Sequence, residues 1–99
     1  MIEDVIWTSR ATDDFLAANN SLVSVEEIEH FLALAKVFPG IGGRVEWADN
    51  IQRGLIGRKR VYGLYYSIHH NRLFVVALIN LRQDSKNIEK LIRSRLPGS

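Results

Sequence analysis

Apolar positions recur along this chain at two different intervals, and the change from one to the other divides it. From Ser24 to Phe38 the residues Ile28, Phe31, Leu32, Ala35 and Phe38 return every three or four positions, the spacing of a helix with one buried face. Ser24 followed by Glu27 is a capping box at the start of this helix, and Pro39-Gly40 stops it. Before it, Ala11, Phe15, Ala18 and Leu22 mark one face of a first helix, capped by Ser9 or Thr12 and ended by Asn19 and Asn20. The opening "VIWTS" reads as a short strand.

After Pro39-Gly40 comes "GIGGRVEWADN", which has little periodicity and reads as a loop. Four of the seven glycines fall between Gly40 and Gly54, none spaced like a phosphate loop with its lysine. The period then becomes two. "IQRGLI" is a short strand, Gly57 and Arg58 mark a tight turn, Arg60 to His69 is a second strand, and Asn71 lies in the next turn. Leu73 to Arg82 is a third strand, with Leu73, Val75, Ala77 and Ile79 on one face and Phe74, Val76 and Leu78 on the other. Apolar on both sides, it belongs in the middle of a sheet. Asp84 or Ser85 caps a last helix that turns Ile88, Leu91 and Ile92 inward and Lys86, Lys90, Arg93 and Arg95 outward. The order predicts an α+β domain: an N-terminal strand and a helical hairpin packed on an antiparallel sheet, with a C-terminal helix.

Composition narrows the chemistry. At 99 residues and 46% hydrophobic, the sequence predicts one domain over 1–99 with a single modest core. The absence of cysteine excludes thiolate catalysis, sulfur-held zinc and disulfides, and fits the cytoplasm. "MIEDVIWTS" has no basic segment followed by a continuous apolar run, and the longest such run, Leu73 to Ile79, is too short to span a bilayer; a cytoplasmic protein is expected. No cofactor and no metal are expected, since His30 has no second histidine at helical spacing.

Charge adds a direction. Residues 1–49 hold nine acids and three bases and residues 50–99 ten bases and two acids, so the halves carry −6 and +8. An anionic partner for the basic half is the natural expectation. A hairpin turning near His70 and Asn71 sets position 60 opposite about 81, which brings Arg58, Lys59, Arg60 and Arg82 to one end of the sheet. Like charges gathered there call for an oxyanion, whether phosphate or carboxylate, and arginine binds either bidentately. Exposed hairpin ends also carry cations simply to discourage edge pairing. His69 and His70 have the intrinsic pKa for proton transfer but lie at the turn, about 30 Å from Arg82 by strand rise. That leaves Asp84 as the acid or base nearest the cations, and its position suits a helix cap. Tyr62 and Tyr66 share a strand face with Leu64 and Ile68, with Tyr65 opposite; Trp7 reads as core, and Trp47 as either a tucked lid or a contact for a partner.

The run "VYGLYYSIHHNRLFVVALINLRQD" resembles the C-terminal half of the RelE/ParE superfamily of bacterial toxins. A tyrosine-rich strand, a polar turn ending in arginine, a hydrophobic strand and an arginine-aspartate close follow in the same order, with Tyr62, Tyr66, Ile68, Arg72, Arg82 and Asp84 in the corresponding places. Upstream, "VIWTSRATDDF" is similar to the family's opening strand and helix, and "FPGIGG" to its turn after the helical hairpin. The resemblance implies the toxin of a type II toxin-antitoxin system, bound in a hetero-oligomer by a cognate antitoxin. It implies one of two actions: ribosome-dependent cleavage of mRNA, as in RelE-like members, or poisoning of DNA gyrase without cleavage, as in ParE-like members.

The departures bear on that choice. Gly63 and Gln83 stand where RelE-like nucleases carry cations, and "DSKNIEKLIRSRLPGS" holds neither the tyrosine nor the histidine expected there. Gln83 and Asn80 replace the arginine and histidine common in ParE-like sequences. With most of the nuclease set missing, the expectation is a ParE-like or otherwise non-nucleolytic toxin; RelE-like cleavage, with Arg82 and Asp84 as the candidate catalytic residues, is the alternative, and an inactive relative serving only as a binding module is a third. Arg58, Lys59, Arg60 and Arg82 are the expected target-binding set. An acidic antitoxin with an amphipathic tail is expected to cover Phe15, Leu22 and Phe31 and to reach Arg60.

Overall fold

A computed structural model describes residues 2–18 and 23–96. Strand β1 (Asp4–Trp7) leads into α1 (Ser9–Ala18) and α2 (Val25–Val37), followed by a short β2 (Gly43–Arg44), β3 (Gln52–Ile56), β4 (Tyr62–His69), β5 (Arg72–Asn80) and α3 (Ser85–Arg95). The strands form one sheet in the order β1-β5-β4-β3-β2. The α+β class holds, but the sheet is mixed rather than antiparallel: β1 lies parallel to β5, with Val5 beside Leu73 and Trp7 beside Val75. A parallel neighbour needs a long crossover, and the segment between β1 and β5 supplies it. Period-two alternation carries no strand direction, so this pairing was not readable from the pattern.

Three strand limits also differ from expectation. Gly43 and Arg44, inside the predicted loop, pair with Arg53 and Gln52 as an edge strand. The strand expected from Arg60 starts at Tyr62, and the one expected to reach Arg82 stops at Asn80. Between β4 and β5 the register shifts: Tyr65 faces Ala77 but Tyr66 faces Val75, so Val76 is an extra residue on β5. Such a bulge reverses the alternation beyond it. Leu73, Val75 and Leu78 therefore pack toward the α1–α2 side, while Val76, Ala77 and Ile79 pack with Ile88 and Ile92 of α3, in place of the strict odd-even division expected.

The helices follow their caps. Thr8, rather than Ser9 or Thr12, caps α1, its Oγ1 accepting the Ala11 N–H at 3.1 Å. Ala11 and Ala18 are buried and Phe15 is partly so, as the spacing implies; Asn19, Asn20 and Leu22 lie outside the described residues. In α2, Ser24 Oγ accepts the Glu27 N–H at 3.1 Å, the first half of the capping box; the Glu27 carboxylate accepts from Ser24 Oγ at 3.5 Å and from the Gly57 N–H rather than from the Ser24 N–H. Phe38, expected on the buried face, is instead the C-cap residue and is 63% exposed, because the turn at Pro39–Ile41 ends the helix before the face is complete. Phe31 lies against Gly54, where a Cβ would collide with its ring, and meets Tyr66 edge-on at 5.8 Å. Helix and sheet approach closely because Gly54 has no side chain.

Tyr66 anchors the loop before β2. Its hydroxyl donates to Pro39 O at 2.8 Å and accepts the Gly42 N–H at 3.0 Å. Burial raises its pKa above the ordinary 10.0, partly opposed by the Gly42 hydrogen bond.

On α3, Ile88 and Ile92 are buried as expected, but Arg95 is not an outward residue. Its guanidinium binds Asp14 through Nη1–Oδ2 at 2.6 Å and Nη2–Oδ1 at 3.1 Å, and Nη1 also donates to Val76 O at 3.0 Å. Asp14 Oδ2 accepts the Leu78 N–H at 3.1 Å. Since β1 ends at Trp7, β5 has no strand on its β1 side past Val75, and this ion pair satisfies backbone groups that a longer β1 would have paired. Among the described residues no helix is long and apolar enough to cross a membrane.

Candidate anion-binding site

The β4–β5 hairpin turns through His70 and Asn71, with φ of 50° and 62°. Two successive positive values identify the two-residue turn whose twist matches paired strands. At the other end, the bulge aligns Tyr62 with Asn80, and the Leu81 N–H donates to Val61 O at 2.7 Å. This pairing carries Arg60 and Arg82 to one end of the sheet, as the sequence predicted, with the register one residue further on than the expected 60 to 81.

Arg58, Lys59 and Arg60 do not extend the strand. They form a single helical turn closed by the Arg60 N–H donating to Gly57 O at 3.0 Å. Within it Lys59 has φ 61° and ψ 14° and Arg60 has φ 53°, while Gly57 at the start has φ 87°. A left-handed backbone costs a non-glycine residue about 1–2 kcal/mol, and two adjacent cations bear it. All four cations are exposed, and none forms an ion pair among the described residues. The adjacent acid, Glu27, accepts the Gly57 N–H through Oε2 at 3.1 Å and the Ser24 hydroxyl through Oε1 at 3.5 Å, and forms no ion pair with the cations.

No proton-transfer pair accompanies the cations. Asp84 caps α3, its Oδ1 accepting the Lys86 N–H at 2.9 Å. His69 and His70, their rings edge to face at 4.1 Å, sit at the far end of the hairpin, and His30 is exposed on α2. Tyr66 is committed to the Pro39–Gly42 loop. Among the described residues no group of three or more His, Asp or Glu side chains is placed to hold a metal ion.

A second basic feature has no signature in the sequence. Arg44, Arg53 and Lys86 line a cleft of about 410 Å³ between β2, β3 and α3, together with Glu46, Trp47 and Glu89. The three cations form no ion pair among the described residues, whereas Glu89 binds Arg93 at 2.9 Å. Trp47 is half-buried: Arg93 lies over its ring at 5.7 Å and donates to its carbonyl at 3.0 Å, so it is neither free nor core. The space over Gly63 is taken by Leu81 and Tyr65, each 3.0 Å from where a Cβ would stand, and by Arg53, whose Cδ lies at 3.2 Å. Strand alternation put Arg53 on the Tyr65 face, but only the fold of the loop brings Arg44 and Trp47 to it.

The third feature is an apolar groove of about 400 Å³ between α1 and α2, lined by Trp7, Thr12, Phe15, Val25, Ile28, Glu29 and Leu32. Trp7, expected in the core, is half-buried: it packs against the core cluster and forms a wall of this groove, edge-on to Phe15 at 6.0 Å. Of the expected antitoxin contacts, Phe15 lines the groove, Phe31 turns to the sheet, Arg60 lies in the basic turn, and Leu22 falls outside the described residues. Compared with models of known protein families and with curated proteins, the sequence matches none of them.

Proposed function

We propose that this chain is a toxin of the RelE/ParE kind that acts by binding an essential bacterial target, such as DNA gyrase, without cutting it. The observation that carries this reading is the exposed Arg58-Lys59-Arg60 turn beside Arg82: unpaired cations held at energetic cost, with the adjacent carboxylates engaged in backbone contacts. Such a surface attracts and orients an anionic target but has no group placed to move a proton. The apolar groove between α1 and α2 suits the amphipathic tail of an acidic antitoxin, which would neutralise the toxin in a hetero-oligomer. Controlled induction in bacteria tests the reading: growth arrest with a DNA-damage response and intact transcripts supports it, and normal growth refutes it.

One observation favours a second reading. The cleft of Arg44, Arg53 and Lys86 beside Trp47 offers cations for phosphates and an aromatic ring for a base, and Arg53 is one of the side chains, with Leu81 and Tyr65, against Gly63, where RelE-like nucleases carry arginine. Under this reading induction produces ribosome-dependent mRNA cleavage rather than DNA damage.

A further inference from the structure

Gly57 is tied at both ends of its residue. Its N–H donates to Glu27 Oε2 at 3.1 Å and its carbonyl accepts the Arg60 N–H at 3.0 Å. Glu27 is itself fixed in the first turn of α2 through its own N–H to Ser24 Oγ. The turn between these ties places Lys59 and Arg60 in the left-handed region, which neither residue favours. Left to itself, such a turn would relax and spread its three side chains.

We infer that Glu27 is a positioning residue for a phosphate-binding turn: by holding the Gly57 N–H it keeps Lys59 and Arg60 in their left-handed conformations, with Arg58, Lys59 and Arg60 free to close with Arg82 on one phosphate-bearing ligand. This rests on the reading of these four cations as an anion-binding surface. Phosphate rather than carboxylate fits because its charge and several acceptor oxygens can serve more than one guanidinium at once. The two possible roles of Glu27 have opposite signs. As a charge alone, its removal from beside three cations would tighten anion binding; as a positioning residue, its removal loosens it.

The experiment titrates inorganic pyrophosphate into isotope-labelled full-length protein, reading amide shifts and the three-bond HN–Hα couplings that report φ. Wild type is expected to respond at residues 57–61 and 82. Glu27→Ala is expected to weaken binding about three- to tenfold, the scale of one lost hydrogen bond with its ordering effect, and to shift the Lys59 and Arg60 couplings toward averaged values. Glu27→Gln, which retains an acceptor without the charge, is expected to restore both. Thr8→Ala, which weakens the α1 cap without touching Glu27 or Gly57, is expected to lower thermal stability and leave affinity unchanged. Equal or tighter binding by Glu27→Ala with unaltered couplings overturns the inference while the anion site stands. A wild type that does not respond to pyrophosphate at these residues overturns the anion-binding reading, and the inference with it.

Discussion

The Asp14–Arg95 pair offers a test of how the sheet edge is closed. Arg95→Ala removes both charged hydrogen bonds to Asp14 and the one to Val76 O, leaving a carboxylate whose side chain is only 18% exposed with the Leu78 N–H as its remaining protein donor. Breaking a fully buried pair from one side costs 3–5 kcal/mol; with the two side chains 10% and 18% exposed, the lower end applies, about 3 kcal/mol. For a domain of this size that corresponds to a fall in Tm of about 12–24 °C. Asp14→Ala should cost a similar amount, because it orphans the Leu78 N–H as well as the guanidinium. The double variant should lose less than the sum of the singles: a coupling of about 2 kcal/mol leaves it about 4 kcal/mol below wild type, because two backbone groups of β5 lack partners. Urea unfolding of the four proteins measures the cycle. Single losses under about 1 kcal/mol, or strict additivity, would refute the role given to this pair.

Lys59→Gly should raise stability by about 0.5–1 kcal/mol, since the left-handed backbone strain outweighs the added chain entropy, while weakening anion binding; thermal melts and the pyrophosphate titration read the two effects. Tyr66→Phe should cost about 2 kcal/mol by leaving the buried Gly42 N–H and Pro39 O without this partner. Because the folded-state pKa of Tyr66 is raised, the stabilisation is complete below pH 10 and lost as pH rises beyond it. The gap between wild type and Tyr66→Phe should therefore narrow above pH 10 in melts across that range. His69→Ala and His70→Ala should leave growth inhibition and anion binding unchanged, as expected of residues at the far end of the hairpin.

What the sequence made legible was local. The α2 capping box, the His70-Asn71 turn, the Asp84 cap and the inward faces of α1 and α3 all depend on residues within a few positions of one another. Side chains whose partners are distant in sequence were misread. Arg95 looked like a solvated helix residue because its partner Asp14 lies 81 positions away. Val76 looked like one more alternating strand residue because a bulge leaves no mark in an unbroken apolar run. Arg58, Lys59 and Arg60 were legible as a cluster, but their left-handed turn was not, since nothing in three consecutive cations announces positive φ. Arg44 and Trp47 went unnoticed as a pair because only the folded loop sets them near Lys86.

The claim that the protein binds without cutting is tested most directly with purified protein in two parallel reactions, DNA supercoiling by gyrase and translation on programmed ribosomes. A toxin that binds without cutting abolishes supercoiling, an effect relieved by Arg60→Ala or Arg82→Ala, and leaves the messenger intact. Codon-dependent cleavage in the ribosomal A site, abolished by Arg82→Ala or Asp84→Ala, would contradict that claim.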